Sequence, residues 1–157
     1  MRVLIACGGT GGHINPGLAI ADIIKSKYPD TEFLFAGTPK GMEAKLVPAA
    51  GYRFETIKVA GFQRRISLEN IGRNAKAVAY LITSGRRAKQ IIEGFKPDIA
   101  IGTGGYAAGP VIRKAARMGI PTAIHEQNAY PGVTNKLLSK EVDHVMLTVK
   151  EALNFMD

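Results

Sequence analysis

Residues 3–24 read VLIACGGTGGHINPGLAIADII, in which an apolar run, a glycine-rich turn and a helix-like stretch follow one another. The run Val3–Cys7 predicts a buried strand, and Pro16–Lys27 predicts a helix that has a proline at its start. The glycines of GGTGGHINPG, residues 8–17, let the backbone approach a ligand closely. The stretch therefore predicts a strand-loop-helix unit whose loop holds something against the main chain, although a tight turn without a ligand would use the same residues.

Strand and helix patterns alternate along the rest of the chain. Further strands are predicted at Phe33–Ala36, Arg53–Val59, Asp98–Ile101, Thr122–Ile124 and His144–Leu147, and further helices at Gly41–Ala50, about Leu68–Glu93, Ala107–Met118 and Val133–Ser139. Alternation of this kind is typical of a parallel sheet covered by helices on both faces. We therefore expect one doubly wound, Rossmann-like α/β domain.

Composition limits the class of protein. The chain has 157 residues, a formal net charge of +8 and a single cysteine, Cys7, so an internal disulfide is impossible. The apolar opening is too short for a secretion signal, and no later run reaches the roughly 18 apolar residues of a membrane span. These features predict a soluble or peripheral protein of the cytosol.

The positive charge is concentrated between Arg64 and Lys89. This segment holds seven basic residues, namely Arg64, Arg65, Arg73, Lys76, Arg86, Arg87 and Lys89, against the single acid Glu69. A helical projection gathers Arg73, Lys76 and Arg87 on one side, opposite an apolar arc. The segment is either a solvated helix face or a contact with an anionic membrane surface; no aromatic-rich basic groove favours nucleic acid.

Two loops share the tetrad GTGG. One lies within residues 8–17, after the first predicted strand, and the other opens Gly102–Pro110, after the fourth. In a doubly wound sheet these two strands are neighbours at the point where strand order reverses, so both loops should line one crevice and suit a phosphate or pyrophosphate. A dinucleotide site is not expected, because Ile14 replaces the third glycine of its motif, and no P-loop lysine follows.

A third polar loop, HEQNAYPGVTNK, spans His125–Lys136 after the fifth strand. It places an imidazole, a carboxylate and carboxamides where side chains can converge on a ligand. Buried structural hydrogen bonding would explain any one of them equally well. Neither zinc nor a divalent metal is expected, since His and Cys lack ligand spacing and no Asp-x-Asp pair occurs.

Four stretches together resemble one family: GGTGGHINPGLAIA, GTPKGMEAKLVPAAGY, GTGGYAAGP and HEQNAYPGVTNK. They are similar to the successive signature loops of glycosyltransferase family 28, in particular the bacterial enzymes that add N-acetylglucosamine to undecaprenyl-pyrophosphoryl-muramyl-pentapeptide in cell-wall synthesis. The resemblance implies a GT-B fold of two facing Rossmann-like halves. The amino-terminal half would bind the lipid acceptor, and the carboxyl-terminal half would bind most of UDP-N-acetylglucosamine.

The resemblance also implies an inverting displacement without metal or cofactor, in which the muramyl C4 hydroxyl attacks the anomeric carbon and UDP leaves. His13 is the candidate base, because imidazole titrates near neutrality, and Glu126 is the alternative. The implied donor contacts are Thr10, Gly11, Gly12 and Asn128, and the implied acceptor and pyrophosphate contacts are Gly104, Gly105, Tyr106, His125, Gln127 and Asn135.

The family's enzymes are more than twice as long as this chain, so the resemblance assigns residues 1–157 to the acceptor domain and places the donor domain outside the sequence. We expect the chain alone to fold without transferring sugar, because a cleft with one wall cannot orient both substrates. The resemblance implies a peripheral protein on the cytoplasmic face of the plasma membrane. A non-enzymatic module for a phosphorylated metabolite, or the membrane half of a two-chain transferase, remains an alternative.

Overall fold

The structure is a computed structural model that describes residues 1–59 and 83–156. Within these residues, six parallel strands form one sheet in the order β3-β2-β1-β4-β5-β6. The strands are β1 (Arg2–Cys7), β2 (Glu32–Gly37), β3 (Arg53–Thr56), β4 (Ile99–Gly104), β5 (Thr122–Glu126) and β6 (His144–Leu147). The predicted doubly wound parallel sheet is confirmed.

Helices connect the strands. They are α1 (Gly11–Lys27), α2 (Glu43–Ala49), α3 (residues 83–95 in the described part of the chain), α4 (Ala108–Arg117) and α5 (Val133–Leu138), followed by a short 3-10 helix at Lys150–Phe155. None of the helices described is long and apolar enough to cross a membrane.

The core lies on both faces of the sheet because successive side chains of a buried strand point in opposite directions. Leu4 of β1 belongs to a fully buried cluster with Ile92 of α3 and Ile112 of α4, whereas Ile5 belongs to a second cluster with Ile14 of α1. Helices α1 and α2 therefore cover one face, and α3, α4 and α5 cover the other. This two-sided burial explains why β1 is apolar at every position after Arg2.

The strand order determines where a ligand can bind. Strand β1 pairs with β2 on one side and with β4 on the other, with Val3 opposite Phe33 and Ile99. The chain thus winds outward in both directions from the β1–β4 pair, so that the loops following these strands lie side by side. The predicted neighbourhood of the first and fourth strands is confirmed.

Some boundaries differ from the sequence expectations. Strand β4 extends to Gly104, and β5 extends to Glu126, because pairing with their neighbours continues that far: Cys7 pairs with Gly104, and Glu126 with Leu147. Strand β3 ends at Thr56 rather than Val59, and α1 begins at Gly11, before its proline. The expected helix over Leu68–Glu93 lies partly outside the described residues, and the final 3-10 helix was not expected.

Candidate functional site

The two GTGG loops touch each other through backbone atoms. Gly105 lies so close to Gly8 that a Cβ at residue 105 would overlap the carbonyl group of Gly8. Gly9, Gly104 and Gly105 have φ angles of 92°, 107° and 83°, a region that residues with a side chain rarely adopt. Glycine is therefore required at these three positions by the backbone conformation, and at residue 105 also by the close approach to Gly8. The two loops together form one continuous surface, which we call the floor.

His13 stands on this floor, in the first turn of α1. Its Nδ1 lies 3.0 Å from the carbonyl oxygen of Gly8, and a Cβ at Gly104 would lie 2.6 Å from its Cδ2. The backbone of His13 is also held, since the hydroxyl of Thr103 donates a 2.7 Å hydrogen bond to its carbonyl oxygen. The ring is thus positioned by β1, β4 and its own helix.

This contact determines which ring nitrogen of His13 carries the proton. The shorter contact of Nδ1 is to the Gly8 carbonyl oxygen, which only accepts hydrogen bonds, and the hydroxyl of Thr10 at 3.5 Å can accept as well. Nδ1 therefore donates, and the neutral ring keeps a lone pair on Nε2. Nε2 has no hydrogen-bond partner among the described residues. With Nδ1 donating, Nε2 is available as a hydrogen-bond acceptor.

The other residues of the first loop form the start of α1, where main-chain N–H groups are left as donors. Thr10 is the N-cap of α1, and its carbonyl oxygen accepts hydrogen bonds from the amides of His13 and Ile14. Gly11 and Gly12 follow in the first turn, where helical N–H groups have no intrahelical partner. Donors of this kind, together with the positive end of the helix, suit an anionic group.

The third loop begins at the end of β5 and is tied to the same floor. The side-chain nitrogen Nε2 of Gln127 donates to the carbonyl oxygen of Thr103 at 3.0 Å and lies 3.0 Å from Nδ1 of His125. Nε2 of His125 lies 3.1 Å from the hydroxyl of Thr148. Burial lowers the pKa of His125 and so favours the neutral imidazole, although the charge of the neighbouring Glu126 acts in the opposite direction.

The carboxylate of Glu126 points into the loop that follows β5. Its side chain is 1% exposed, and its carboxylate accepts hydrogen bonds from the backbone and side-chain amides of Asn128, from the side chain of Asn135 and from the amide of Gly132. Burial alone would raise the pKa of Glu126, but these donors outweigh it and lower the pKa. The carboxylate therefore remains ionised and organises residues 126–135.

Two buried oxygens near this loop have no partner among the described residues: Oε1 of Gln127 and Oδ1 of Asn135. Buried acceptors are nearly always hydrogen-bonded in proteins, so each of these oxygens has spare capacity for a donor. Asn128, in the third loop, and Tyr106, in the second, are exposed, and Tyr106 is 65% exposed. The sequence-derived candidates of all three loops thus lie along one edge of the sheet.

The sequence did not single out Glu43, which is fully buried at the start of α2. Its carboxylate accepts hydrogen bonds from the amide of Gly9 at 3.1 Å and from the amide and hydroxyl of Thr38 at 2.8 and 2.7 Å. Glycines at positions 8, 37 and 41 leave the room that its side chain fills. The glycines at positions 37 and 41, within GTPKGMEA, are the sequence signal that could have identified Glu43.

The basic segment is only partly described. Arg73 and Lys76 lie outside the described residues, whereas Arg87 lies on α3. Its guanidinium pairs with Glu55 and donates to the carbonyl oxygen of Thr56 at 3.1 Å, so part of its charge is already matched. Within residues 1–59 and 83–156, no group of three or more His, Cys, Asp and Glu side chains is placed to hold a metal ion.

Known proteins resemble the chain over nearly its whole length. It is 55% identical over 152 residues to the UDP-N-acetylglucosamine--N-acetylmuramyl-(pentapeptide) pyrophosphoryl-undecaprenol N-acetylglucosamine transferase of Acetivibrio thermocellus, covering 97% of this chain and 40% of that protein. The enzyme of the same name from Listeria monocytogenes is 48% identical, with coverages of 96% and 40%. The chain thus spans about two fifths of the length of these relatives.

A solved structure gives the same result. The crystal structure of Acinetobacter baumannii MurG superimposes with a TM-score of 0.78 and 30% identity, over 93% of this chain and 40% of that one. The model of the glycosyltransferase family 28 N-terminal domain matches residues 3–147. The family that the four signature stretches indicated is therefore confirmed, and the chain belongs to glycosyltransferase family 28, whose N-terminal domain it carries.

Proposed function

We propose that this chain is the acceptor-side half of an inverting glycosyltransferase. The reaction moves N-acetylglucosamine from UDP-N-acetylglucosamine to the C4 hydroxyl of undecaprenyl-pyrophosphoryl-N-acetylmuramyl-pentapeptide in peptidoglycan synthesis. The names of the relatives support these substrates. The observation that carries the proposal is the position of His13, which stands over two touching glycine loops with Nε2 unpaired among the described residues.

His13 is the general base of the proposed reaction. Its Nδ1 is engaged with Gly8, so its Nε2 is ready to accept the proton of the attacking hydroxyl. Glu126 is less suited to this role, because its carboxylate is buried, has a lowered pKa and already accepts hydrogen bonds from three residues. The geometry therefore favours His13 as base and Glu126 as the residue that shapes the third loop.

The remaining loop residues divide between the two substrates. The proposed donor contacts are Thr10, Gly11, Gly12 and Asn128, and the proposed acceptor and pyrophosphate contacts are Gly104, Gly105, Tyr106, His125, Gln127 and Asn135. The position of all three loops beyond the carboxyl ends of β1, β4 and β5 supports a binding role for them, because ligands of parallel α/β sheets bind there.

Two further partners belong to the proposal. A carboxyl-terminal domain would supply most of the donor site, because the relatives are about two and a half times as long as the part they share with this chain. An anionic membrane surface on the cytoplasmic side would attract the basic segment, because the lipid tail of the acceptor stays in the bilayer.

Ligand titration of the chain tests the proposal. We expect an undecaprenyl-type muramyl-pentapeptide pyrophosphate analogue to bind much more tightly than UDP-N-acetylglucosamine in isothermal titration calorimetry. His13→Gln should leave most of this affinity in place, since a base contributes mainly to the transition state. Preference for UDP-N-acetylglucosamine, or tight binding of an unrelated phosphorylated metabolite alone, would contradict the acceptor-side role and favour the non-enzymatic module.

A further inference from the structure

The peptide group between Gly8 and Gly9 is held from both sides. Its carbonyl oxygen lies 3.0 Å from Nδ1 of His13, and its N–H donates to Oε2 of Glu43 at 3.1 Å. In a trans peptide the C=O and N–H bonds point in opposite directions. A single peptide plane therefore lies between the carboxylate of Glu43 and the imidazole of His13, with a hydrogen bond at each end.

Glu43 is fixed at its end of this arrangement. Its other oxygen, Oε1, accepts hydrogen bonds from the amide and the hydroxyl of Thr38. Its side chain fills a space that exists only because residues 8, 37 and 41 lack a Cβ; one at Gly8 would lie 2.6 Å from Oε1. Burial raises the pKa of Glu43, but its donors outweigh burial and lower it, so the carboxylate is charged at neutral pH.

A charged acceptor at one end strengthens the hydrogen bond at the other. Hydrogen bonds to ions are shorter and stronger than neutral ones. Hydrogen bonds in a chain also polarise one another. The negative charge of Glu43 therefore pushes electron density toward the Gly8 carbonyl oxygen, which then binds the Nδ1 proton of His13 more firmly.

We propose that Glu43 is a positioning residue that acts on His13 through the Gly8–Gly9 peptide, holding the proton on Nδ1 and leaving Nε2 as the proton acceptor. The link from Glu43 to His13 rests only on the hydrogen bonds at the two ends of this peptide. Its catalytic meaning rests on the proposed function of His13. A purely structural Glu43 would hold the loop in shape without selecting a tautomer.

Nuclear magnetic resonance of the ring nitrogens in this chain tests the proposal directly. The sequence has three histidines, so the signals of His13 are assigned with a His13→Gln variant. At a pH where the ring is neutral, the parent should show a protonated Nδ1 and an unprotonated Nε2, with a downfield Gly9 amide proton. A parent chain with the proton on Nε2 would overturn the proposal without any variant.

Glu43→Gln removes the charge and keeps the shape. A weakened hydrogen bond should lower the Nδ1–H to Nε2–H ratio roughly fivefold, equivalent to about 1 kcal/mol, and move the Gly9 amide upfield. The control Glu32→Gln makes the same change at an exposed position on β2 and should alter neither signal. An unchanged ratio in folded Glu43→Gln would overturn the proposal.

Thr38→Val separates tautomer selection from general loosening of the loop. It removes one donor to Glu43 but keeps the charge and the Gly9 contact, so the His13 ratio should remain that of the parent. A fall as large as that in Glu43→Gln would overturn the proposal. If Glu43→Gln does not fold, the parent still tests the proposal, because a proton on Nε2 or a Gly9 amide without the downfield shift would overturn it. None of these measurements uses turnover, so a failure of the proposed transferase reaction would be recognised separately.

Discussion

The hydroxyl of Thr103 donates a 2.7 Å hydrogen bond to the carbonyl oxygen of His13. The carbonyl oxygen of the same threonine accepts a hydrogen bond from the side chain of Gln127. One buried residue of β4 thus joins the first turn of α1 to the loop after β5. The candidate base and the third loop are therefore positioned by the same strand.

Replacing Thr103 with valine should weaken this connection. The substitution keeps the β-branched shape and removes the hydroxyl, so we expect a loss of about 1 kcal/mol in the free energy of unfolding. Urea denaturation measures it. Thr134→Val is the matched control, because the hydroxyl of Thr134 makes no hydrogen bond among the described residues and its loss should change stability less. Equal losses would show that the Thr103 hydrogen bond adds no net stability.

Gly104→Ala tests the contact between the second loop and the imidazole. Gly104 has a φ of 107°, and its added Cβ would lie 2.6 Å from Cδ2 of His13. Gly119 also has a positive φ, 72°, but nothing lies within 4 Å of its Cβ position. Gly119→Ala should cost about 1–2 kcal/mol from backbone strain alone. Gly104→Ala should cost more and shift the His13 ring signals; equal costs with unshifted signals would contradict the packing described.

The fold was largely predictable, and so was the meeting of the two GTGG loops. Strand β1 is a continuous apolar run, which is typical of a strand buried on both faces, and the repeated GTGG motif marked the ends of β1 and β4. Short parallel connections leave few arrangements for such a chain, which is why two loops whose GTGG tetrads lie 93 residues apart could be expected to meet.

The inward-pointing carboxylates were not predictable. Glu43 is buried because donors from Gly9 and Thr38 converge on it, and these residues follow two different strands. Glu126 is buried because β5 extends to it in pairing with β6. Local sequence indicates that an acidic side chain is present. Whether that side chain meets solvent or a ring of amides depends on the register of distant strands.

The Glu126 carboxylate should make stability depend on pH. Its folded-state pKa is lowered below the ordinary value of 4.5, so its contribution is present above pH 4.5 and is lost as the pH falls through the folded-state pKa. At pH 7, Glu126→Gln should cost about 1–3 kcal/mol, because an amide cannot accept from every donor. The difference from the parent should shrink in acid. Denaturation at several pH values measures it, with exposed Glu32→Gln as the control; a constant difference would contradict this role.

The basic segment should bind anionic vesicles. Each basic residue near such a surface contributes about 1 kcal/mol, so Arg73→Glu/Lys76→Glu should reduce cosedimentation with phosphatidylglycerol vesicles. Arg87 is left unchanged, because it already pairs with Glu55. Lys27→Glu/Lys150→Glu gives the same charge change at exposed positions elsewhere. Binding should also fall with added salt. Equal binding by both variants would favour a solvated helix face.

His13→Ala tests the proposed base in a complete enzyme. A chimera that joins this chain to the carboxyl-terminal part of the Acetivibrio thermocellus relative should transfer N-acetylglucosamine, since the shared region is 55% identical. In it, His13→Ala should lower kcat by roughly two to four orders of magnitude, because a lost general base raises the barrier of the chemical step. Glu126→Gln should act more on KM, since Glu126 shapes a binding loop. An unchanged kcat with a raised KM for His13→Ala would instead assign His13 to substrate binding.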